Sequence, residues 1–480
     1  MTKSRSAAWR LPLTLTLPLA LPLVTCVVLV SGATLGQEQT PASIPPIAQR
    51  TVADLHRPTV TPDRIILTWT DNPTTSQAVT WRTSTEITRG LAEIALAESG
   101  PQGQRNNARQ LIAVTQPLET DLNAAHFHTV TFRDLTPAAK YAYRVGDGVN
   151  WSEWFLFTTA SDQAEPLSFI YFGDAQNDVR SQWSRVIRSA WTDAPKAKFM
   201  IHAGDLINSA ESDSEWGEWF DAGGWMNAMI PSIPIPGNHE QAKLEDGSRR
   251  LSHHWRPQFA LPENGPEGLE ETCFTLVCQN VRIVGLDSNR NHEEQAVWLD
   301  RLLSENTAEW VVCTFHHPIF STGKDRDNAE LRKLWKPVLD RHRVDLVLQG
   351  HDHTYGRTGL DSPTAEQNLA TGVNTAELYS GTVYVVSVSG PKMYNLQRHP
   401  FMARQAEDTQ LYQIIHVDSD KLHFEAFTAT GELYDAFTLR KQPGQKNSLT
   451  DEIPDTPERL RPPVTEAAPG RSTGGLSRSR

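Results

Sequence analysis

Apolar and polar positions change rhythm once along the body of this chain. Between residues 61 and 160 they alternate with period two. Residues 64–69 and 77–82 alternate around an Asp71-Asn72-Pro73 turn, and 127–132, 140–145 and 154–159 continue the series. Such alternation gives each strand one buried and one solvated face. The segment therefore predicts a small all-β sandwich, similar to fibronectin type III, serving as a spacer or docking module. From Leu167 onward, short apolar runs alternate with helical stretches at about 178–193, 214–229, 293–305 and 328–342. Repeated strand and helix predict an α/β layered domain. Further runs at 279–288 and 382–388, and alternation over 411–440, supply strands for a second sheet.

Five of the apolar runs in this second region end in polar groups. Residues 167–172 lead into Gly173-Asp174, and 198–203 into Gly204-Asp205. Residues 233–236 lead into Gly237-Asn238-His239-Glu240, and 310–315 into His316-His317-Pro318. The run 344–348 ends, after Gln349, in Gly350-His351-Asp352-His353, where the glycine permits a sharp bend. A single Gly-Asp pair is an ordinary turn. Five strand ends carrying oxygen and nitrogen donors are different, because functional groups in α/β sheets collect at the carboxyl ends of strands. Carboxylate and imidazole donors suit Zn, Fe or Mn better than Ca or Cu(I), so the pattern predicts a two-metal site.

Composition narrows the class. The 480 residues allow about three domains at roughly 150 residues each. The formal net charge is −12, and removing Lys3, Arg5 and Arg10 of the expected leader takes it to −15. That balance argues against a nucleic-acid-binding surface. It leaves phosphorylated small-molecule substrates open, since bound cations reverse the local sign. Residues 1–36 read as a signal peptide, with a basic start, an apolar stretch from Leu11 to Val30 and small residues at 31–33. Pro12, Pro18 and Pro22 disfavour the alternative of a spanning helix. The expectation is a secreted or periplasmic protein with no membrane span after signal removal. Residues 37–60 read as a linker, and the Pro-, Ser-, Arg- and Gly-rich chain from 442 to 480 as a disordered tail. Apart from Cys26, three cysteines remain; Cys273 and Cys278 are able to bridge, and Cys313 reads as a buried thiol. His126 and His128 read as core or surface residues of the sandwich.

The motif set Gly173-Asp174, Gly204-Asp205, Gly237-Asn238-His239-Glu240, His316-x-Pro318 and Gly350-His351-x-His353 resembles the calcineurin-like metallophosphoesterase superfamily. The β segment, with Tyr141-x-Tyr143-Arg144-Val145-Gly146 and Phe155-x-Phe157-Thr158-Thr159, is similar to the N-terminal domain of purple acid phosphatases, and Arg357 fits that family. The resemblance implies an α/β (α+β) two-sheet sandwich flanked by helices over residues 165–441, preceded by the β-sandwich at 61–160. It implies a first metal on Asp174 and His353, a bridge at Asp205, and a second metal on Asn238, His316 and His351. His239 would touch the phosphate. His317 is expected to pack beside the ligands.

Two positions depart from the family pattern. Asn208 stands where purple acid phosphatases carry a tyrosine, and Gln176 where many relatives carry a histidine. Either side chain is able to offer a carbonyl oxygen to the first metal, and the missing phenolate implies a colourless protein. The downstream histidine of plant-type members is replaced within residues 321–328, where Lys324 and Arg326 are possible phosphate contacts. The resemblance implies an exported phosphatase that holds two divalent or trivalent ions (Fe, Zn or Mn) and hydrolyses phosphate monoesters by in-line attack of a metal-bound hydroxide. Catalysis would rest on Asp205 and His239. The alternatives are a phosphodiesterase or nucleotide-directed hydrolase of the same superfamily, and a non-catalytic binding protein that uses the β-sandwich.

Overall fold

The computed structural model describes residues 50–100, 102–363, 381–442 and 447–461. The alternating segment folds into two four-stranded antiparallel sheets. One orders the strands Asp63–Thr68, Gln77–Thr83, Ala124–Phe132 and Val114–Glu119. The other orders Arg109–Ile112, Leu91–Leu96, Lys140–Gly146 and Phe155–Thr158. Leu67, Val79, Trp81, Ile94, Val130, Phe132, Tyr143 and Phe157 meet between them. Pairs such as Val79 and Trp81, or Val130 and Phe132, sit two apart because side chains alternate across a strand. His128 is buried here, with Nε2 2.8 Å from Thr83 Oγ1 and Nδ1 2.9 Å from Thr115 Oγ1. Half-buried His126 places Nδ1 2.9 Å from the Ile87 carbonyl.

The second region is a sandwich of two seven-stranded sheets, as expected. The first sheet orders Ser232–Pro234, Met200–His202, Leu167–Phe172, Leu411–Asp418, Lys421–Thr428, Leu433–Arg440 and Ser448–Asp451. The second orders Phe274–Cys278, Val281–Gly285, Trp310–Thr314, Leu346–Gln349, Val383–Val386, Tyr355–Thr358 and Met402–Ala406. Alternation sorts the side chains of the second sheet. Val312, Leu346 and Leu348 join the core shared with the first sheet. Val311, Cys313 and Val347 face Trp298, Leu299, Trp335 and Leu339 of the helices His292–Ser304 and Ala329–Arg341. Helices Ser184–Asp193 and Asp213–Gly223 bring Val186, Ile187, Trp216 and Trp219 to the first sheet's core.

Buried ion pairs tie the β-sandwich to this second region. Asp213, at the start of its helix, accepts Arg64 Nη1 at 2.6 Å and Arg82 Nη1 at 3.4 Å from the β-sandwich. His254 Nε2 lies 3.5 Å away. Tyr143 Oη donates to the Ala228 carbonyl at 2.6 Å, and the Leu67 N–H to Asn227 O at 2.9 Å.

Three sequence expectations change. The chain does not lose order at 442: residues 448–451 form a strand against Leu433–Arg440. Residues 452–461 then continue along the surface, where the Gln405 N–H donates to Glu458 Oε1 at 2.9 Å and the Arg461 N–H to Glu407 Oε1 at 2.6 Å. Specific ion pairs outweigh the polar composition there. Cys273 and Cys278 do not bridge, and they and Cys313 are free buried thiols. Within the expected linker, residues 52–55 form a helical turn capped by Thr51. The expected signal peptide, residues 364–380 and residues 462–480 lie outside the described residues. No helix among the described residues is long and apolar enough to cross a membrane.

Candidate metal centre

The three adjacent parallel strands Leu167–Phe172, Met200–His202 and Ser232–Pro234 end side by side, with Phe172, His202 and Pro234 in register. Asp174, Asp205 and Asn238 follow them. In the facing sheet, the parallel strands Trp310–Thr314 and Leu346–Gln349 end together and release His316, His351 and His353. Ligand atoms of Asp174, Asp205 and His353 lie within 4.8 Å of one another, and those of Asp205, His316 and His351 form a second such group. Asp205 belongs to both.

Hydrogen bonds fix which ring nitrogens face inward. His316 Nδ1 lies 2.9 Å from the Ala203 carbonyl and His353 Nδ1 2.7 Å from the Lys392 carbonyl, so both carry a proton there. Each Nε2 then aims its lone pair at acceptors. His316 Nε2 lies 3.1 Å from Asp205 Oδ2, 3.2 Å from Asn238 Oδ1 and 3.1 Å from His351 Nδ1. His353 Nε2 lies 3.0 Å from Asp174 Oδ2, which has no hydrogen bond of its own among the described residues. Acceptors facing acceptors at contact distance require a positive charge between them. Burial opposes charge on His316, yet Asp205 and Asp174 overcome it and push the imidazole up to about 9. A proton on His316 Nε2, or a metal cation in its place, satisfies this negative pocket, and the donor set of carboxylates, imidazoles and one amide fits two ions of the Fe, Zn or Mn kind.

The supporting backbone is held in unusual conformations. Asp205, His351 and His353 adopt φ of +51°, +76° and +50°. Non-glycine residues rarely occupy this region, and the strain persists only where the surroundings enforce it. Here the enforcement is visible. Buried Glu240 accepts the N–H groups of Asp205 at 2.9 Å, Leu206 at 2.8 Å and Gly237 at 2.6 Å. The His351 N–H donates to Asp174 Oδ1 at 2.6 Å. A Cβ on Gly350 would stand 2.2 Å from that same oxygen, and one on Gly237 2.1 Å from Asp205 Oδ1, so both positions exclude side chains.

The remaining candidates divide. Gln176 is buried beside Asp205 and His353, with Nε2 donating to Asp205 Oδ2 at 2.8 Å and Oε1 without a hydrogen-bond partner among the described residues. Rotating that amide by half a turn would present the oxygen to a cation. Asn208 turns its amide to Ser209 Oγ at 3.4 Å, and its carbonyl accepts His239 Nδ1 at 2.5 Å. It thereby orients His239, whose Nε2 lies 4.0 Å from Asp205 Oδ2. A cleft of about 480 Å³ opens beside His239, lined also by Asn208, Asn238, Lys243 and Arg249. His317 packs its ring 4.2 Å from that of His351 and places Nδ1 2.8 Å from Ser288 Oγ.

Two supporting residues had no assigned role in the sequence. Glu240 was visible only as the end of the Gly237-Asn238-His239 motif. Asp352, between two ligands, faces away from them and accepts Ser321 Oγ at 2.6 Å, the Thr322 N–H at 2.8 Å and Arg326 Nε at 3.1 Å.

Comparison with known proteins finds relatives of both regions. Residues 62–159 match the purple acid phosphatase N-terminal domain, and residues 167–355 match the calcineurin-like phosphoesterase family. The chain is 26% identical over 337 residues to an uncharacterized protein of Mycobacterium tuberculosis, a match that covers 60% of each chain. It therefore spans less than two thirds of that relative's length. Acid phosphatase type 7 of Mus musculus is 26% identical over 333 residues, 62% of this chain and 71% of that one. The structure of a purple acid phosphatase from yellow lupin (Lupinus luteus) seeds superposes with a TM-score of 0.65 at 17% identity, covering 79% of this chain and 74% of that one. That likeness bears on the fold alone. The chain thus carries a calcineurin-like metallophosphoesterase domain behind a purple acid phosphatase N-terminal domain, and its relatives are purple acid phosphatase-like.

Proposed function

We propose that the protein is an exported phosphatase that hydrolyses phosphate monoesters at a centre of two metal ions. The observation that carries this reading is the pair of histidines, His316 and His353, whose outward nitrogens are tied to carbonyls while their inward lone pairs converge on Asp205 and Asp174. Asp174, His353 and Asp205 would hold one ion, with Gln176 as a further oxygen donor. Asp205, Asn238, His316 and His351 would hold the other. Two such cations, when bound, supply Lewis acidity to phosphoryl oxygens and an activated water.

The residues of the chain do the rest. Glu240 and the Gly237 turn hold Asp205 in place between the two positions. The Asn208 carbonyl keeps a proton on His239 Nδ1, so that Nε2 is the atom free to reach the ester. Nε2 stands at the mouth of the cleft where a leaving alcohol would depart, and in the imidazolium form, with Nδ1–H still on the carbonyl, it would deliver its own proton to the leaving oxygen. The lack of a tyrosine at position 208 removes the phenolate that the family pattern places there and supports a colourless protein. Export rests on the basic and apolar pattern of residues 1–36.

The test is hydrolysis of a chromogenic phosphomonoester and its diester counterpart by protein reconstituted separately with Fe, Zn and Mn. Monoester turnover dependent on added metal is expected, with His239→Ala slower by about 100-fold. Turnover of the diester alone, or of neither ester, would overturn the reading.

A further inference from the structure

The loop at 321–326 crosses the metal-ligand turn and is anchored to it. Asp352, the residue between His351 and His353, accepts the Ser321 hydroxyl and the Thr322 and Gly323 N–H groups on Oδ2, and Arg326 Nε on Oδ1 at 3.1 Å. On its other side the loop is clasped by residues 394–397. The Lys324 N–H donates to Asn395 O at 2.8 Å, and the Gln397 N–H to Thr322 O at 2.8 Å. Arg326 is therefore held at its Nε, and among the described residues its two terminal nitrogens have no hydrogen bond or ion pair.

The Tyr394 ring neighbours both the guanidinium and the candidate ligand His353. The guanidinium carbon lies 5.1 Å from the centre of the Tyr394 ring, and that ring lies 4.4 Å from the ring of His353. Gly323 leaves room for the arginine stem, since a Cβ there would come 2.7 Å from Arg326 Cδ. Asp352, which holds the guanidinium at Nε, lies between His351 and His353, so Arg326 is tied to the turn that carries both candidate ligands. An arginine fixed by one edge and bare on its other is the usual arrangement for gripping the oxygens of a phosphoryl group.

We propose that Arg326 binds the phosphoryl group of the substrate and makes the site prefer monoesters over diesters. This rests on the phosphatase reading above. A monoester dianion offers one more charged, unsubstituted oxygen than a diester, and a fixed guanidinium rewards that oxygen. Asp352 acts as the positioning residue for Arg326.

The test compares metal-loaded wild type with Arg326→Gln and Arg326→Lys, using inorganic phosphate as the binding probe by calorimetry alongside hydrolysis of a monoester and a diester. Metal content is measured for each protein. Arg326→Gln is expected to keep its metals, weaken phosphate binding by about 10-fold and lower monoester kcat/KM by about 100-fold while diester turnover falls by about threefold or less. Arg326→Lys should recover part of the phosphate affinity. Unchanged phosphate affinity in Arg326→Gln, or equal losses on both esters, would overturn the proposal. So would loss of metal, which would make Arg326 a purely structural strut. A wild type that binds phosphate through Arg326 yet cleaves neither ester supports the binding role and defeats the phosphatase reading separately.

Discussion

The amide nitrogen of Gln176 lies 2.8 Å from Asp205 Oδ2, and its carbonyl oxygen is buried with no hydrogen-bond partner among the described residues. A buried unpaired amide oxygen costs about 1–3 kcal/mol. A cation at the first position would remove that cost by drawing the oxygen onto itself. Gln176→Leu should therefore release one of the two metals about tenfold more readily into a chelator while the second stays bound. Metal analysis after graded chelation reads this directly, and equal release of both ions would exclude a role for Gln176 at one position.

Glu240 presents a related case one layer further out. Its carboxylate takes three backbone N–H groups, two of them in the turn that carries Asp205. Glu240→Ala would strand those donors in a buried place and is expected to cost about 3 kcal/mol or more, with loss of metal. Glu240→Gln keeps an acceptor and should cost less. Thermal unfolding of the two variants decides, and similar midpoints would count against this account of the turn.

The candidate ligand residues were legible because each lies two to four positions beyond the end of a strand. Strand ends of a parallel sheet point the same way, so Asp174, Asp205 and Asn238 share an edge without any knowledge of tertiary contacts. Glu240, Asp352 and Asp213 were not legible in this manner. Their partners are backbone groups or arginines brought together only by chain reversals and domain contact, such as Arg64, which lies far from Asp213 in sequence. The segment 447–461 was misread for the same reason. Its composition is that of a disordered tail, but buried Arg357 reaches Asp451 Oδ1 at 2.9 Å, and Arg461 pairs with Asp408.

The junction between the two regions depends on Asp213. Burial disfavours its charge, but the His254, Arg64 and Arg82 contacts hold its carboxyl well below the usual range. Asp213→Ala would strip buried Arg64 of its counter-charge and leave Arg82 with Asp63 alone, at an expected cost of about 3–5 kcal/mol. Denaturant unfolding is the measurement, and a change under about 1 kcal/mol would mean that the pair is not needed at the junction.

His128 makes acid stability testable. Burial, with a smaller contribution from His126, lowers its folded-state value from 6.5 to about 4. Below pH 6.5 the unfolded chain takes up a proton that the folded chain refuses. The stability is complete above pH 6.5 and is lost as pH falls toward 4, by at most about 3 kcal/mol. His128→Gln removes the titration, so its unfolding midpoint should fall less than that of wild type between those pH values. Parallel curves would refute the assignment.

The number of metal ions retained per chain by wild type and by Asp205→Ala is the most direct measurement of the whole account. Both groups of converging ligands include Asp205, so two ions are predicted for wild type and neither position should hold its ion firmly in the variant. An Asp205→Ala protein that folds normally and keeps two ions through dialysis would contradict it.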